Sequence, residues 1–321
     1  MENKSVAILL ATYNPREDWL IELLDSLNAQ TYPNLHLYVR DDASPRYSFE
    51  RLQEVVKEHV TKIPYSIVQS EKNAGSNETF SALVRDAQDE HYISFCDQDD
   101  VWLPCKVENT VRLFEESPLH PTLVCTNVSI IDGDGKDISP AIDVHRPHHK
   151  FIRGGTAVAG ELIYRNFIIG CTMLMERERA LAYLPVPKSI VHDHYLGFRA
   201  AADGAVDYLS DAQMKYRIYG GNQTGIMMGV ESKADYLVRR IYDFRERVEH
   251  FSENVDIPEL EVARQWCDAR EKNFKREKGG FSALWKMRNV NKSTSYFELF
   301  GLRFPNFLFR FAIHQIRKGK I

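Results

Sequence analysis

Four short apolar runs, at residues 6–10, 35–39, 65–68 and 92–96, recur at intervals of about thirty residues and constrain this chain more than any other feature. Between them the apolar positions take helical spacing, as in Leu20, Leu23, Leu24 and Leu27, then across 49–59, then in Phe80, Leu83, Val84 and Ala87. Short continuous runs suit strands buried on both faces, and the alternation with helices predicts an α/β chain with an open, mostly parallel sheet flanked by helices. Ligands in such sheets bind beyond the carboxyl ends of the strands.

Polar residues collect at those ends. The first run leads into Ala11-Thr12-Tyr13-Asn14-Pro15 and the second into Arg40-Asp41-Asp42-Ala43-Ser44-Pro45. Asn73-Ala74-Gly75-Ser76-Asn77 forms a turn and helix cap after the third, and the fourth enters Cys96-Asp97-Gln98-Asp99-Asp100-Val101-Trp102. Three carboxylates in four positions repel one another unless a cation lies among them. On an extended backbone Asp97 and Asp99 leave on the same side, which suits a divalent ion carrying a phosphate-rich ligand. The competing reading is an acidic turn, and the repetition of acidic clusters at equivalent strand ends favours a shared crevice.

Further along, a helix is expected from Pro104 to Glu116 and β-structure over 122–131, followed by Asp132-Gly133-Asp134-Gly135-Lys136. A calcium loop would need a glutamate where Asp143 stands, so a hairpin turn is expected. His145-Arg146-Pro147-His148-His149 reads as a solvated loop rather than a metal cluster, and Gly154-Gly155 suggests a mobile lid over the crevice. Residues 167–175 have the pattern of another buried strand, with a helix near 176–183. His192-Asp193-His194, set between apolar residues, is either an acid/base cluster or a helix start capped by Asp193. The segment from Asp207 to Met214 and a glycine-rich polar loop over 216–225 complete this half.

From Ser232 onward helical spacing runs through dense charge, with a second helical segment over 259–275. The expected division is therefore a domain over 1–230 and a helical extension over 231–321. Residues 281–321 carry eight cations against one acid, Glu298, interleaved with aromatic rings. That composition suits a membrane surface or an anionic partner, or else a helix packed on the domain or on a second subunit of a homo-oligomer. The formal net charge of −4 for the chain argues against nucleic acid as a partner. Five scattered cysteines read as free thiols, and no run has the length of a signal peptide core or a membrane span. The expected location is cytoplasmic, with 281–321 peripheral on the inner face of the membrane.

These motifs, in this order and spacing over about residues 5–225, resemble family 2 glycosyltransferases. The D-Q-D-D-x-W and H-D-H forms, with Tyr216-Arg217, Asn222 and Gly225, are similar to the rhamnosyltransferase-like branch that builds bacterial surface polysaccharides. The resemblance implies a GT-A fold, Rossmann-like, and inverting transfer of rhamnose or a hexose from a nucleotide-diphosphate sugar to a lipid-linked or protein-linked glycan. It places Ala11, Tyr13, Asn14, Asp42, Asn73, Asn77 and Asp97 about the donor nucleotide. Asp97 and Asp99 would hold Mn2+ or Mg2+, Asp193 would be the catalytic base, and His192, His194 and Arg217 would support. Asp100 is expected to be structural. One departure stands out: Tyr219 occupies a position where the branch has histidine, which leaves Arg217 or His194 to compensate.

Several rivals are weighed against this reading, of which a sugar-phosphate nucleotidyltransferase and a non-catalytic partner subunit stay as the alternatives. A glycosidase has no need of acidic strand ends, and an oxidoreductase would carry G-x-G-x-x-G. A sugar-phosphate nucleotidyltransferase would show a glycine-rich, basic phosphate loop after the first strand, and residues 11–16 are not one. A non-catalytic partner subunit would not need both Asp99 and Asp193.

Overall fold

A computed structural model describes residues 4–146, 149–219, 227 and 229–317. The chain divides into two compact units, residues 1–219 and 220–321.

The first unit is an α/β layer structure. Its strands are β1 (Val6–Thr12), β2 (Leu35–Asp41), β3 (Tyr65–Gln69), β4 (Tyr92–Cys96), β5 (Val101–Trp102), β6 (Leu123–Ile131), β7 (Asp137–Ser139), β8 (Leu174–Glu176) and β9 (Val206–Arg217). They form one sheet in the order β3-β2-β1-β4-β8-β6-β9-β5, with β7 paired to β6. Neighbours β3, β2, β1 and β4 run parallel, as do β6 and β9, whereas β8 is antiparallel to β4 and β6. The helices are α1 (Glu17–Asn28), α2 (Phe49–His59), α3 (Ser76–Asp86), α4 (Lys106–Glu116), the single turn α5 (Ile142–His145), α6 (Thr156–Tyr164), α7 (Arg177–Tyr183) and α8 (His192–Asp203). Val6, Ala7, Ile8, Leu9 and Leu10 are all fully buried, so β1 is covered on both faces. Opposite it α1 buries Trp19, Leu20, Leu23, Leu24 and Leu27, the spacing of one helical face.

This topology places the ends of β2, β1 and β4 side by side. Thr12 pairs with Asp41, and Leu10 with Cys96, so all three acidic or polar termini open at one edge of the sheet.

Three expectations change. Residues 167–175 are buried apart from the partly exposed Ile169, but only Leu174–Glu176 is a strand, because a 3-10 turn at Gly170–Thr172 interrupts the run. An apolar run records burial, and here the burial comes without strand pairing. Tyr216 and Arg217 belong to the end of β9 rather than to a loop, Ile218 and Tyr219 follow it, and residues 220–225, with Asn222 and Gly225, lie outside the described residues. The two glycines expected in a lid are instead packing positions. Gly154 exchanges backbone hydrogen bonds with Val206 at 2.9 and 2.7 Å, and a Cβ on Gly155 would lie 2.6 Å from the Gly204 carbonyl oxygen. The expected hairpin at 132–136 forms, with Asp132 Oδ1 accepting from the amides of Asp134 and Lys136. Of the histidine segment, His145 closes α5, His149 lies edge-on to Phe151, and residues 147 and 148 are outside the description.

The second unit is helical. It comprises α9 (Lys233–Tyr236), a π-helical turn (Leu237–Tyr242), α10 (Asp243–Ser252), α11 (Pro258–Phe274), α12 (Gly280–Lys286), α13 (Lys292–Phe300) and α14 (Asn306–Arg317). Its interior holds an ion pair. Arg270 donates to Glu298 at 2.7–3.0 Å, the Tyr236 hydroxyl donates to the same carboxylate at 2.9 Å, and Glu298 is fully buried. None of the helices among the described residues is long and apolar enough to cross a membrane.

Candidate active site

The acidic end of β2 is fully furnished with donors. Asp41 accepts from the Ser44 amide and hydroxyl, the Gln69 amide group and the Thr12 hydroxyl. Asp42, 4% exposed, accepts from the backbone amides of Ala74 at 2.8 Å and Gly75 at 2.9 Å, and Asn73 donates to its carbonyl. Gly75 has φ +84°, a conformation that favours glycine, and this lets its amide reach Asp42 at the start of α3. Asn14, at φ +45°, donates its amide to Ser44 Oγ and accepts from the Arg46 amide. Together these bonds shape the loops after β1, β2 and β3 into one wall that includes Ala11 and the exposed ring of Tyr13.

The fourth strand ends differently. Residues 97–100 form a turn, not the extended strand that would send Asp97 and Asp99 to one side. The turn separates the carboxylates. Asp97 and Asp100 gather with the Cys171 thiol, their ligand atoms all within 4.8 Å of one another. Asp99 instead accepts from the Tyr219 hydroxyl at 2.7 Å. Tyr219 therefore reaches the acidic turn through its own hydroxyl. Arg217 is the brace beneath it. Its backbone amide donates to Asp100 Oδ1 at 3.0 Å, its Nε to the Asp99 carbonyl at 2.8 Å, and its Nη2 to Glu22. Its guanidinium lies 5.0 Å from the Trp19 ring centroid.

Gln98 was not singled out in the sequence. Its side-chain oxygen accepts from the Tyr13 amide at 2.8 Å and its nitrogen donates to the Tyr13 carbonyl at 3.2 Å, which ties the acidic turn to the β1 end.

The electrostatics of this turn are strained. Asp97 keeps some contact with solvent at the mouth of the site, but the protein packed around it, then the charges of Asp99 and Asp193, push its carboxyl up to about 7. Asp99 is raised by burial, a shift that Tyr219 opposes. Asp100 is raised well above the carboxylate range by burial and by Asp99 and Asp97, and its Oδ2 has no hydrogen-bond partner. The buried Lys106 supplies a positive charge. Its ammonium lies over the Trp102 ring at 3.2 Å and 3.4 Å from Ser94 Oγ, and burial lowers it to about 8. Sequence reading passed over Lys106 and Cys171 because each sits in an otherwise apolar helical or strand-like pattern.

Asp193 is the second residue of α8, whose N-cap is Val191, so the carboxylate does not cap the helix from outside. Its Oδ1 accepts from Asn166 Nδ2 at 2.9 Å and from the His194 amide at 2.6 Å, and its Oδ2 accepts from the Gly170 amide at 3.2 Å. The 3-10 turn that interrupts 167–175 thus presents an amide to Asp193. Burial pushes this carboxyl up to about 6, against the pull of those three donors. The Gly170–Thr172 turn links it to the acidic turn, since Gly170 donates to Asp193 and Cys171 lies beside Asp97 and Asp100.

The flanking histidines are packing groups. His192 lies 4.3 Å from the Phe80 ring and 5.3 Å from Phe95, and burial lowers it to about 4. A Cβ on Gly170 would come within 2.8 Å of His192 Nε2, so glycine is needed there. His194 shares a hydrogen bond between Nε2 and the Leu162 carbonyl at 2.5 Å. Asn77, expected at the nucleotide, holds the entrance to α8: its nitrogen donates to the carbonyls of Pro187 and Ile190, and its oxygen accepts from the His192 amide.

A parallel sheet with acidic strand ends and a carboxylate at a neighbouring helix start is the arrangement of a GT-A glycosyltransferase. The chain belongs to glycosyl transferase family 2, whose sequence model matches residues 7–182. It is 25% identical to an uncharacterized glycosyltransferase of Nostoc sp., over 96% of this chain and 98% of that one. Among solved structures it is similar to TarS 1–349 of S. aureus in complex with UDP-GlcNAc (TM-score 0.59, 17% identity, 98% of this chain and 92% of that). It is also similar to the mannosyltransferase PcManGT of Pyrobaculum calidifontis in complex with GDP-Man and Mn2+ (TM-score 0.56, 15% identity, 100% and 87%). At these identities the structural likeness establishes the fold.

Proposed function

We propose that this glycosyltransferase moves rhamnose or a hexose from a nucleotide-diphosphate donor to a hydroxyl of a lipid-linked or protein-linked bacterial glycan, with inversion at the anomeric carbon. The observation that carries this reading is the pairing of Asp193, a carboxylate oriented by three donors, with the crowded carboxylates of the 97–100 turn. Donors bound by the two structural neighbours, UDP-GlcNAc and GDP-Man, support a nucleotide-sugar ligand.

The wall formed by Ala11, Tyr13, Asn14, Asp42 and Asn73 would receive the nucleotide, with Tyr13 offering its exposed ring to the base. The ligand atoms of Asp97 and Asp100 lie close enough, beside the Cys171 thiol, to share a divalent cation, the Asp100 Oδ2 has no hydrogen-bond partner, and Asp99 of the same turn would join them by leaving Tyr219. Mn2+ or Mg2+ held there would act as a Lewis acid toward the departing diphosphate. Tyr219 and Arg217 hold the turn in shape. Asp193 accepts the proton of the attacking hydroxyl as the new bond to the anomeric carbon forms and the bond to the diphosphate oxygen breaks. One displacement on the face opposite the leaving group inverts the centre. We place the reaction in the cytoplasm, with residues 281–321 meeting either a membrane surface or a second copy of the chain.

The test is a screen of nucleotide sugars with Mn2+ or Mg2+, reading nucleotide release, followed by NMR of the product's anomeric configuration. Metal-stimulated release with an inverted product is expected. A retained configuration would overturn the role of Asp193, and full turnover in EDTA would overturn the cation's.

A further inference from the structure

We infer that the outer faces of α12, α13 and α14 form a docking surface for an anionic lipid bilayer. This rests on the peripheral-contact part of the reading above, chooses between its two occupants, and does not depend on the transfer chemistry.

Phe281, Trp285, Tyr296 and Phe300 form an exposed group on α12 and α13, each 40–47% exposed. Their rings neighbour one another at 6.2–6.4 Å between centroids. On α14 the buried face is Phe309 and Ile313, whereas Phe307 and Phe311, one turn apart, are 71% and 60% exposed. A soluble surface rarely leaves so many large rings in water without a partner. Tryptophan and tyrosine with basic neighbours are the side chains that settle at the headgroup level of a bilayer.

The charges identify the partner. Only one acid lies within 281–321, Glu298, and the fold removes it from the surface by burying it against Arg270 and Tyr236. Every charged side chain exposed on these helices is therefore cationic among the described residues. Lys286, Lys292, Arg303 and Arg310 are exposed beside the rings, and Arg288 and Arg303 lie over Trp285 and Phe281 at 4.7 and 5.1 Å. A second copy of this face would bring like charges together. An anionic headgroup layer meets the cations with opposite charge while the rings enter the acyl boundary.

The experiment is flotation of the full chain with vesicles of phosphatidylcholine alone or with about one third phosphatidylglycerol. Binding to the anionic vesicles is expected, at least tenfold weaker to the neutral ones and lost at high salt, as screening requires. The double variant Phe307→Ser/Phe311→Ser, which changes only exposed positions of α14, and the charge reversal Lys286→Glu/Lys292→Glu should each reduce binding at least tenfold. Equal binding to both vesicle types, or none to either, would overturn the inference. So would a wild-type dimer in light scattering that Phe307→Ser/Phe311→Ser dissociates, because the face would then belong to a second copy. Donor turnover in vesicle-free buffer should be unchanged in both variants, which separates failure of this surface from failure of the transfer reading.

Discussion

Two acidic clusters end the strands on either side of β1, and the fold treats them in opposite ways. At the end of β2 the carboxylates of Asp41 and Asp42 receive backbone amides, a hydroxyl pair and a side-chain amide, so the negative charge organises three loops. At the end of β4 the carboxylates crowd against one another and a thiol, and an oxygen of Asp100 goes without a partner. The first cluster is architecture that folds itself. The second is held in a state that a bound cation would relieve. Carboxylate density alone does not distinguish a scaffold from a cation site; the supply of donors does.

The largest effect should come from Asp193→Asn. Loss of the base is expected to lower kcat by about 10²–10⁴-fold while leaving donor KM within a few-fold, read by nucleotide release. A near-normal kcat would take Asp193 out of the chemistry. Asp42→Ala comes next, because it removes the buried acceptor of the Ala74 and Gly75 amides. It should cost about 3 kcal/mol of stability, since hydrogen bonds to charged groups contribute about 1.5–3 kcal/mol each, measured by urea denaturation. Asp99→Asn should do the reverse. Removing one charge from the crowded turn should leave the metal-free melting temperature unchanged or raised at pH 8, while metal-stimulated release falls at least about tenfold, the order of effect for loss of a ligand-supporting group. If Asp99→Asn and Asp42→Ala destabilise equally, the contrast between the clusters fails.

Dependence on pH sharpens the contrast further at smaller amplitude. With its carboxyl raised to about 6, Asp193 should lose its basic form as the pH falls through that value, and kcat should fall with it. Asp97, raised to about 7, holds a proton in the native state that the unfolded chain, with a pKa of about 3.9, has already released. Its contribution to metal-free stability is therefore present at low pH and lost as the pH rises through about 7. Thermal melts at pH 5 and pH 8 should show this slope, and Mn2+ should reduce it.

The four parallel strands were legible because each is a short apolar run between helical spacings, and full burial of β1 leaves no other assignment. Polar residues that follow those runs, as at Asp42 and Asp97, stand at the ends of strands that flank β1, as the pattern suggests. Sequence periodicity could not separate burial from pairing at 167–175, where a 3-10 turn supplies an amide to Asp193 instead of a ladder. Nor could it foresee the turn at 97–100, which depends on the distant Arg217 and Tyr219, more than a hundred residues away in the chain. Lys106 was invisible for a related reason. It lies on the apolar face of α4 with Val107, Val111 and Phe114, where only the sheet's tertiary packing tells a buried cation from a surface one.

The Gln98 contact has a mechanical consequence. A primary amide carries one acceptor and donors much as a peptide group does, and its two bonds to Tyr13 resemble a rung of the sheet. The parallel ladder between β1 and β4 stops at Leu10 and Cys96, so this side chain acts as a surrogate backbone that extends it past the last paired residues. The acidic turn and the Tyr13 backbone are therefore clamped to each other at two points, so a displacement of one pulls on the other.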